Sequence, residues 1–337
     1  MRRWQFWLGV AFSLVLLTLA MRRLRLEDVW QALRSAEFIW LLPGVAVYFL
    51  GVWARAWRWH YLLRPLQRIP VGRMFPVVAI GYMGNNIYPA RAGELLRAYV
   101  LRRKYSVPIS ASLATIIVER AFDGIVMLGF VFLNLPELIS LTGESGFAGS
   151  IRDLALWGAA AFLAATVVFL VLAAFPRQAR VASGWLIDRL APARARPAAT
   201  GMAERFLEGL AALRSPADVL MVLVTSVVIW LLETGKYWFV MHAFPFQVSF
   251  FALMLMNGIV NLATTLPSAP GYVGTFDAPG IAVLTAYGVQ PEIAAGYTLL
   301  LHAALWLPIT LLGAYYMARE SLSWGAVRAE LQPEART

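Results

Sequence analysis

The stretch LALWGAAAFLAATVVFLVLAAF, residues 154–175, contains no charged side chain. A transmembrane helix needs about 20 consecutive apolar residues to cross the hydrocarbon core of a bilayer. The rest of the 337-residue chain has the same character, since 60% of its residues are hydrophobic and only 14% are charged. The sequence therefore predicts an integral membrane protein and excludes a soluble two-domain enzyme, which this length would otherwise favour.

Six further apolar stretches approach the length of a membrane span: 4–21, 38–62, 111–135, 218–241, 250–266 and 293–317. Two shorter stretches, 74–90 and 278–287, are interrupted by Pro, Gly or Asn, which favours broken or re-entrant helices. The predicted fold is an all-α polytopic membrane protein with about seven full transmembrane helices and two broken segments. We expect a single membrane domain over residues 1–320 and a polar tail over 321–337. The first stretch has no small-residue cleavage site after it, so we interpret it as a retained span.

The charges of the chain predict its orientation. Basic residues outnumber acidic ones by 29 to 19, and under the positive-inside rule the basic segments 55–73, 97–104 and 177–214 lie in the cytoplasm. The protein then crosses the cell membrane several times with a cytoplasmic N-terminus, although the basic segment 22–37 disagrees with this parity. Within residues 176–217 we expect a cytoplasmic amphipathic connector on the inner membrane face, with a solvated connector as the alternative. Its apolar residues at helical spacing are Met202, Phe206, Leu210 and Leu213.

Several classes of chemistry lack their usual residues in this sequence. The chain has no Cys, and its three His residues show no metal-ligand spacing, so we expect neither a metal nor a redox cofactor. The sequence contains no nucleotide-binding loop that would indicate the use of ATP. No polar stretch is long enough to form a soluble domain with a basic face, so nucleic acid is not an expected partner.

The first candidate site is GYMGNNIYPARAGELLRAYVLRRK, residues 81–104. Pro89 cannot continue a helix, and Asn85 and Asn86 can satisfy the backbone groups that the break leaves free. Three charged residues then recur every three positions and share one helix face: Arg91, Glu94 and Arg97. A half-helix N-terminus that carries Arg is typical of an anion site. An ordinary cytoplasmic turn before a surface helix is the alternative.

The second candidate lies inside the apolar stretch 112–130, which contains Glu119, Arg120 and Asp123. Ionisable residues at membrane depth are costly, so a cluster of them indicates a functional site. Arg120 can pair with Asp123 three residues later, which leaves one carboxylate over. Either a further cation, from Arg91 or Arg97, or a bound proton must balance it. A buried pair that only fixes helix packing is the alternative.

Two more candidates lie downstream. Glu233 and Lys236 are three residues apart on an aromatic-rich span, where a structural and a functional pair are equally good interpretations. In the stretch 256–284 an apolar half-helix with Asn257 and Asn261 leads into a break and a new helix with an acidic start: Pro267, Pro270, Gly271, Gly274 and Asp277. Paired breaks at corresponding positions of two halves are typical of a transporter site, so an inverted-repeat-like arrangement is expected.

Two segments carry a resemblance to a known family: NNIYPARAGELLRAYVLRRKYSVPISASLATIIVERAFD and, downstream, LPSAPGYVGTFDA. Their motifs P-x-R-x-G-E, E-R-x-x-D and P-x-x-P-G-x-x-G resemble the flippase-like family that includes the membrane region of lysylphosphatidylglycerol synthases. The resemblance covers most of the chain and implies a functional site at the motif residues: Asn86, Pro89, Arg91, Gly93, Glu94, Arg97, Glu119, Arg120, Asp123, Pro267, Pro270, Gly271 and Gly274. Tyr272 and Asp277 depart from the family pattern, which often has Gly and Glu there. The soluble aminoacyl-transferring domain of those synthases has no counterpart in this sequence, so synthase activity is not implied.

These features favour a lipid or lipid-linked headgroup translocase that moves an anionic or zwitterionic lipid between leaflets. Arg91, Arg97 and Arg120 would surround the headgroup, and three carboxylates would balance them or bind a cationic group or a proton: Glu94, Glu119 and Asp123. The expected partners are membrane lipids, either anionic phospholipids or polyprenyl-phosphate-linked lipids. Two alternatives remain: an intramembrane lipid-modifying enzyme with Glu119 or Asp123 as general acid or base, and a non-transporting partner of a lipid-modifying enzyme.

Overall fold

The computed structural model describes residues 3–22, 24–88, 91–142, 147–265 and 269–320. Within these ranges the chain forms helices and connecting turns without strands. The α-helices are α1 (Arg3–Met21), α2 (Leu26–Arg34), α3 (Leu41–Leu63), α4 (Val71–Ile87), α5 (Ala92–Tyr105), α6 (Ile109–Thr142), α7 (Phe147–Ala174), α8 (Pro176–Leu190), α9 (Arg196–Gly209), α10 (Pro216–Met241), α11 (Phe250–Ala263), α12 (Asp277–Ala286) and α13 (Pro291–Arg319). The predicted tail, 321–337, lies outside the described residues.

Within the described part of the chain, five helices are long and apolar enough to cross a membrane: α3, α6, α7, α10 and α13. This finding confirms the polytopic membrane fold. One of the predicted full spans is shorter, because the apolar helix α11 covers only Phe250–Ala263. The 14 residues of α11 extend only about 21 Å, less than the ~30 Å hydrocarbon core. The prediction of a full span at 250–266 is therefore corrected to a half-span.

The two interrupted segments each belong to a helical hairpin. α4 ends at Ile87 and α5 begins at Ala92, and the two helices pack against each other as the first hairpin. α11 ends at Ala263 and α12 begins at Asp277, and these two helices form the second hairpin. Both hairpins turn where the sequence places its Pro and Gly residues, so they are re-entrant elements rather than crossings.

The helices around the two hairpins repeat in the same order in two halves of the chain, and the second half has the opposite orientation. One half contains α3, the first hairpin and α6, and the other contains α10, the second hairpin and α13. α3 and α10 are antiparallel, because Gly44 at the start of α3 faces Val240 at the end of α10, while Arg58 near the end of α3 bonds Ser226 near the start of α10. The hairpins therefore enter from opposite sides. α4 packs on α13 of the other half, as α11 packs on α6, which is the reciprocal exchange of an inverted repeat.

Glycines let the first hairpin close tightly. A Cβ atom on Gly93 would lie 1.9 Å from the carbonyl oxygen of Gly81, and one on Gly84 would lie 2.7 Å from the Cα atom of Gly93. The backbones of α4 and α5 are thus in direct contact, which only glycine permits. This contact fixes the direction in which α5 presents its charged residues.

The connector between α7 and α10 consists of two helices, α8 and α9. Gly209 at the end of α9 lies on α6, where a Cβ atom would come within 2.4 Å of the carbonyl oxygen of Ala111. Leu210 and Leu213 are buried in the protein interior, whereas Met202 is 61% exposed. Two of the four residues expected on the membrane surface therefore pack inside the protein, because the chain turns onto α6 after Gly209.

Candidate functional site

A polar cavity of about 150 Å³ lies where the tips of the two hairpins meet. Arg91, at the tip of the first hairpin, donates a long hydrogen bond of 3.5 Å to the carbonyl oxygen of Thr264 in the second. The indole of Trp306 on α13 donates to the carbonyl oxygen of Asn86 at 3.4 Å. The lining contains eleven of the predicted site residues: Asn85, Asn86, Arg91, Gly93, Glu94, Arg97, Arg120, Glu233, Lys236, Asn261 and Gly271. The fold thus brings residues of all four candidate segments to one place.

The tip of the first hairpin holds two polar groups that the protein leaves available. Arg91 precedes α5 in the left-handed backbone region, with φ 53° and ψ 37°, a conformation that non-glycine residues seldom adopt and that recurs at functional sites. Among the described residues, no carboxylate pairs with its guanidinium. The Oδ1 atom of Asn85 is buried without a hydrogen-bond partner. By contrast, Asn86 Nδ2 donates to Thr310 Oγ1 at 2.8 Å and fastens the tip to α13.

Buried ion pairs form the wall behind the cavity. Arg97 of α5 pairs with Glu119 of α6. Arg58 of α3 donates two hydrogen bonds to Asp123, from Nη1 to Oδ1 at 2.6 Å and from Nη2 to Oδ2 at 3.2 Å. The cations that balance Glu119 and Asp123 therefore come from Arg97, which was one of the predicted partners, and from Arg58, which was not.

Arg120 connects this wall to the cavity. Its Nη2 atom lies 3.2 Å from Asp123 Oδ2, which confirms the predicted pair, and its Nε atom lies 3.6 Å from Glu94 Oε1. The side chains of Arg120 and Glu94 keep 33% and 22% of their surface exposed, whereas those of Glu119 and Asp123 keep only 1% and 2%. Glu119 and Asp123 consequently support the lining from behind and do not reach the cavity.

A second ionic group joins α3 to α10. Glu233 accepts a 2.7 Å hydrogen bond from Arg55 and also pairs with Lys236. The ammonium group of Lys236 lies 4.5 Å from the ring centre of Tyr48. The guanidinium of Arg55 lies 5.6 Å and 5.9 Å from the centres of two more rings, those of Tyr82 and Trp230. The predicted Glu233 and Lys236 pair is thus present as part of a triad on the cavity wall.

His302 on α13 holds the tip of the second hairpin. Its Nδ1 atom is 2.8 Å from Asp277 Oδ1 and its Nε2 atom is 2.7 Å from the carbonyl oxygen of Gly271. The other oxygen of Asp277 accepts from the backbone N–H of Gly274 at 2.8 Å. Pro270 starts the 3₁₀ turn that carries Gly271. Of these predicted residues only Gly271 lines the cavity, while Pro270, Gly274 and Asp277 shape the tip.

The cavity carries an excess of positive charge. Five lining side chains are cationic and two are carboxylates: Arg55, Arg91, Arg97, Arg120 and Lys236 against Glu94 and Glu233. Behind them, Arg58 is outnumbered by Glu119 and Asp123, which leaves a net charge of two. Three lining guanidinium groups have a buried Nε atom without a hydrogen-bond partner: those of Arg55, Arg97 and Arg120. Buried donors without a hydrogen-bond partner are costly.

The structure also shows which residues the sequence interpretation overlooked. The prediction that segment 55–73 is cytoplasmic is wrong for Arg55 and Arg58, because α3 buries both inside the protein. Both residues also lie within the predicted span 38–62, and this overlap was the indication in the sequence that they belong to the membrane part of the protein. No sequence pattern indicated that His302 belongs to the site, since its partners lie on other elements. Pro89 and Pro267 lie outside the described residues.

Comparisons with known proteins cover most of the chain. The family profile described as Lysylphosphatidylglycerol synthase TM region matches residues 6–313. A UPF0104 membrane protein of Methanothermobacter thermautotrophicus is 25% identical over 289 residues, 80% of this chain and 82% of the relative. A UPF0104 membrane protein of Pyrococcus horikoshii is 22% identical over 320 residues, 91% of this chain and 93% of the relative. Glycosyltransferase AglD of Haloferax volcanii is 27% identical over 319 residues, 86% of this chain and 50% of AglD.

Proposed function

This chain belongs to the family of the lysylphosphatidylglycerol synthase transmembrane region, and from that premise we propose that it is a lipid translocase. In this proposal it moves a lipid with an anionic or zwitterionic phosphate headgroup between the leaflets of the cell membrane, with its N-terminus in the cytoplasm. Its partners in this proposal are membrane lipids and a lipid-modifying enzyme that makes or consumes the transported lipid.

One observation carries the proposal: a cationic cavity at the meeting point of two re-entrant hairpins that enter from opposite sides. Broken helices that converge near the middle of a membrane protein, in two inverted halves, form the substrate sites of many transporters. Among the described residues of the two tips, Arg91 and Thr264 are joined by a long hydrogen bond of 3.5 Å. Because this contact is weak, the tips can separate at little cost and expose the cavity to either side in turn.

The lining supports a division of labour between headgroup and tails. A phosphate group would find the guanidinium groups of Arg91 and Arg120 at the exposed edge of the cavity, and both can bind its oxygens through paired hydrogen bonds. The acyl chains would stay in the surrounding lipid, since only the polar headgroup needs a path through the protein. A translocase of this kind therefore needs few polar residues. This requirement agrees with a chain in which only 14% of the residues are charged.

The pairing of the carboxylates favours translocation over catalysis. Glu119 and Asp123, the general acid or base candidates of an intramembrane enzyme, are buried behind the cavity and engaged by Arg97 and Arg58. A general acid or base must reach the reacting group within hydrogen-bond distance. The match to AglD extends over half of that protein, so the transferase activity in its name is not assigned to this chain.

The experiment that tests the proposal is leaflet exchange in liposomes. The purified protein is reconstituted with lipids that carry a fluorophore on one acyl chain, and dithionite quenches the fluorophores that reach the outer leaflet. We expect faster exchange than in protein-free liposomes, and its loss in Arg91→Gln. Arg91 suits this purpose because the substitution breaks no described ion pair.

Arg177→Gln is the matched control, because Arg177 is an exposed arginine of α8 far along the chain from the lining residues. It should exchange lipid at the wild-type rate. Equal rates for protein-containing and empty liposomes, with every headgroup tested and the protein folded, would contradict a translocase. Conversion of the labelled lipid into a new product would instead establish an enzyme.

A further inference from the structure

We infer that the headgroup accepted by this cavity is a small phosphate without an amine, such as a lipid phosphomonoester or phosphatidylglycerol. The inference rests on the proposed function and narrows its substrate class. It excludes zwitterionic and aminoacylated headgroups on one side and headgroups with long saccharides on the other. Charge pairing, aromatic contacts and volume each lead to it.

The carboxylates of the lining are already used by the protein. A headgroup amine needs an acceptor, and a carboxylate is the strongest one. Glu233 accepts from Arg55 at 2.7 Å and pairs with Lys236, and Glu94 lies 3.6 Å from Arg120 Nε. These are the two carboxylates among the described lining residues. An ammonium group would therefore compete with cations of the protein for both carboxylates, would be left with the neutral amide oxygen of Asn85 as an unpaired acceptor, and would add to a positive charge that is already in excess.

Three of the six aromatic rings in the described lining already face cations of the protein: those of Tyr48, Tyr82 and Trp230. Rings of Tyr and Trp can bind an ammonium group over their faces, as in the cages that recognise choline. Here Lys236 lies over Tyr48, and Arg55 lies over Tyr82 and Trp230. The protein has filled these cation sites with its own side chains, so the rings of this wall do not form a cage for a cationic headgroup.

An anion, in contrast, meets donors that have no partner. The guanidinium of Arg91 has no carboxylate beside it in the described structure, and the Nε atoms of Arg55 and Arg97 are buried without a hydrogen-bond partner. The side chains of Arg55 and Arg97 are only 7% and 8% exposed. Guanidinium groups suit phosphate oxygens because their N–H donors form a planar fork. A phosphate would supply the acceptors and neutralise the remaining charge.

The volume of the cavity limits the size of the headgroup. A cavity of about 150 Å³ accepts a molecule of about the size of benzene in an engineered protein core. A phosphate has a similar number of heavy atoms, and a short glycerol extension could reach the open edge beside Arg120. A chain of sugars on a lipid pyrophosphate is several times larger and exceeds the space between the hairpin tips in this conformation.

A series of lipids with identical labelled tails tests the inference. The headgroups are phosphatidic acid, phosphatidylglycerol, phosphatidylethanolamine and lysine-esterified phosphatidylglycerol, and leaflet exchange is measured in protein-containing and protein-free liposomes. We expect the two amine-free lipids to exchange on the order of tenfold faster than the two amine-bearing lipids, as the loss of one charged hydrogen-bond partner implies. Uptake of radiolabelled inorganic phosphate is measured in parallel and should stay at the level of empty liposomes.

A specificity switch provides a second, independent readout. Lys236→Gln removes the cation that covers Tyr48 and frees one oxygen of Glu233, so it creates an acceptor for an amine. We expect exchange of phosphatidylethanolamine relative to phosphatidic acid to rise severalfold in this variant, while Arg177→Gln keeps the wild-type ratio. Independently of any variant, water-soluble short-chain phosphatidic acid should raise the melting temperature of the wild-type protein more than short-chain phosphatidylethanolamine.

The outcomes separate the inference from the proposed function. Equal exchange of amine-bearing and amine-free lipids would overturn the inference and leave the translocase proposal intact. The same conclusion would follow if amine-bearing lipids were exchanged by the wild-type protein and this exchange were lost in Glu94→Gln. Exchange of none of the lipids by folded protein would remove both. Phosphate uptake without lipid exchange would assign the same cavity to a soluble anion and would also overturn both.

Discussion

Arg58 and Asp123 form a two-point ion pair at the centre of the protein, with Nη1 to Oδ1 at 2.6 Å and Nη2 to Oδ2 at 3.2 Å. Both side chains are essentially buried, at 0% and 2% exposure. Ser226 of α10 accepts a further hydrogen bond from Arg58 at 2.7 Å, and Trp230 of α10 donates one to Asp123 at 3.0 Å. One buried pair thus ties together α3, α6 and α10, the helices that surround the hairpins.

We expect Asp123→Asn to destabilise the protein by about 3–5 kcal/mol, because it breaks a buried ion pair and leaves Arg58 with a single, more distant carboxylate, Glu119 Oε1 at 3.6 Å from its Nε. The thermal unfolding midpoint in detergent, followed by tryptophan fluorescence, measures this loss. Asp153→Asn is the matched control, since Asp153 is an exposed carboxylate on α7. The double variant Arg58→Met, Asp123→Leu should recover part of the loss, because both charges of the pair are removed and Arg120, which also loses Asp123, keeps Glu94. A single variant as stable as the wild type would show that the pair is dispensable.

The contrast between two kinds of ion pair explains what the sequence can predict. Arg120 with Asp123, and Glu233 with Lys236, are three residues apart on one helix, so helical periodicity alone predicts them. Arg58 with Asp123 and Arg55 with Glu233 join residues 65 and 178 positions apart. No local spacing contains that information, because it depends on how α3 packs against α6 and α10. The positive-inside rule then assigned Arg55 and Arg58 to the wrong environment.

The breaks in the hairpins were predictable for a different reason. Pro and Gly act through the backbone of their own segment, so their effect is local and is visible in the sequence. The left-handed conformation of Arg91 was not predictable, because non-glycine residues seldom adopt it and no residue type in this segment demands it. The same applies to the bridge from His302 to Asp277, which spans 25 residues.

The close contact inside the first hairpin leads to a second prediction. Gly93→Ala would place a Cβ atom 1.9 Å from the carbonyl oxygen of Gly81, so α5 must move away from α4 and carry Glu94 and Arg97 with it. We expect a large loss of lipid exchange and a lower unfolding midpoint. Gly201→Ala, on α9, is the matched control because its Cβ atom would meet open space. Wild-type exchange in Gly93→Ala would show that the hairpin geometry does not position the site.

The inverted order of the two halves predicts the membrane topology. Gln67, before α4, and Gln290, before α13, are exposed residues at opposite ends of the helical bundle. Because the chain has no Cys, Gln67→Cys and Gln290→Cys each provide a single thiol. We expect a membrane-impermeant maleimide to label Gln290→Cys in intact cells and Gln67→Cys only after the cytoplasmic face is opened. Labelling of both from one side would contradict the inverted arrangement, and the reverse pattern would place the N-terminus outside.

The last prediction concerns the bridge that His302 makes between Asp277 and Gly271. In His302→Phe both hydrogen bonds of the imidazole, of 2.8 and 2.7 Å, are lost, so the tip of the second hairpin is no longer tied to α13. We expect the backbone amides of residues 271–276 to exchange with deuterium faster, and lipid exchange to fall on the order of tenfold, in line with the loss of a charged hydrogen bond. His60→Phe is the matched control, since His60 contacts the carbonyl oxygen of Ile69 at 2.6 Å and lies outside the lining. Unchanged deuterium exchange at the tip in His302→Phe would mean that the turn holds itself in place, and faster exchange in both histidine variants would indicate general destabilisation instead of a local release.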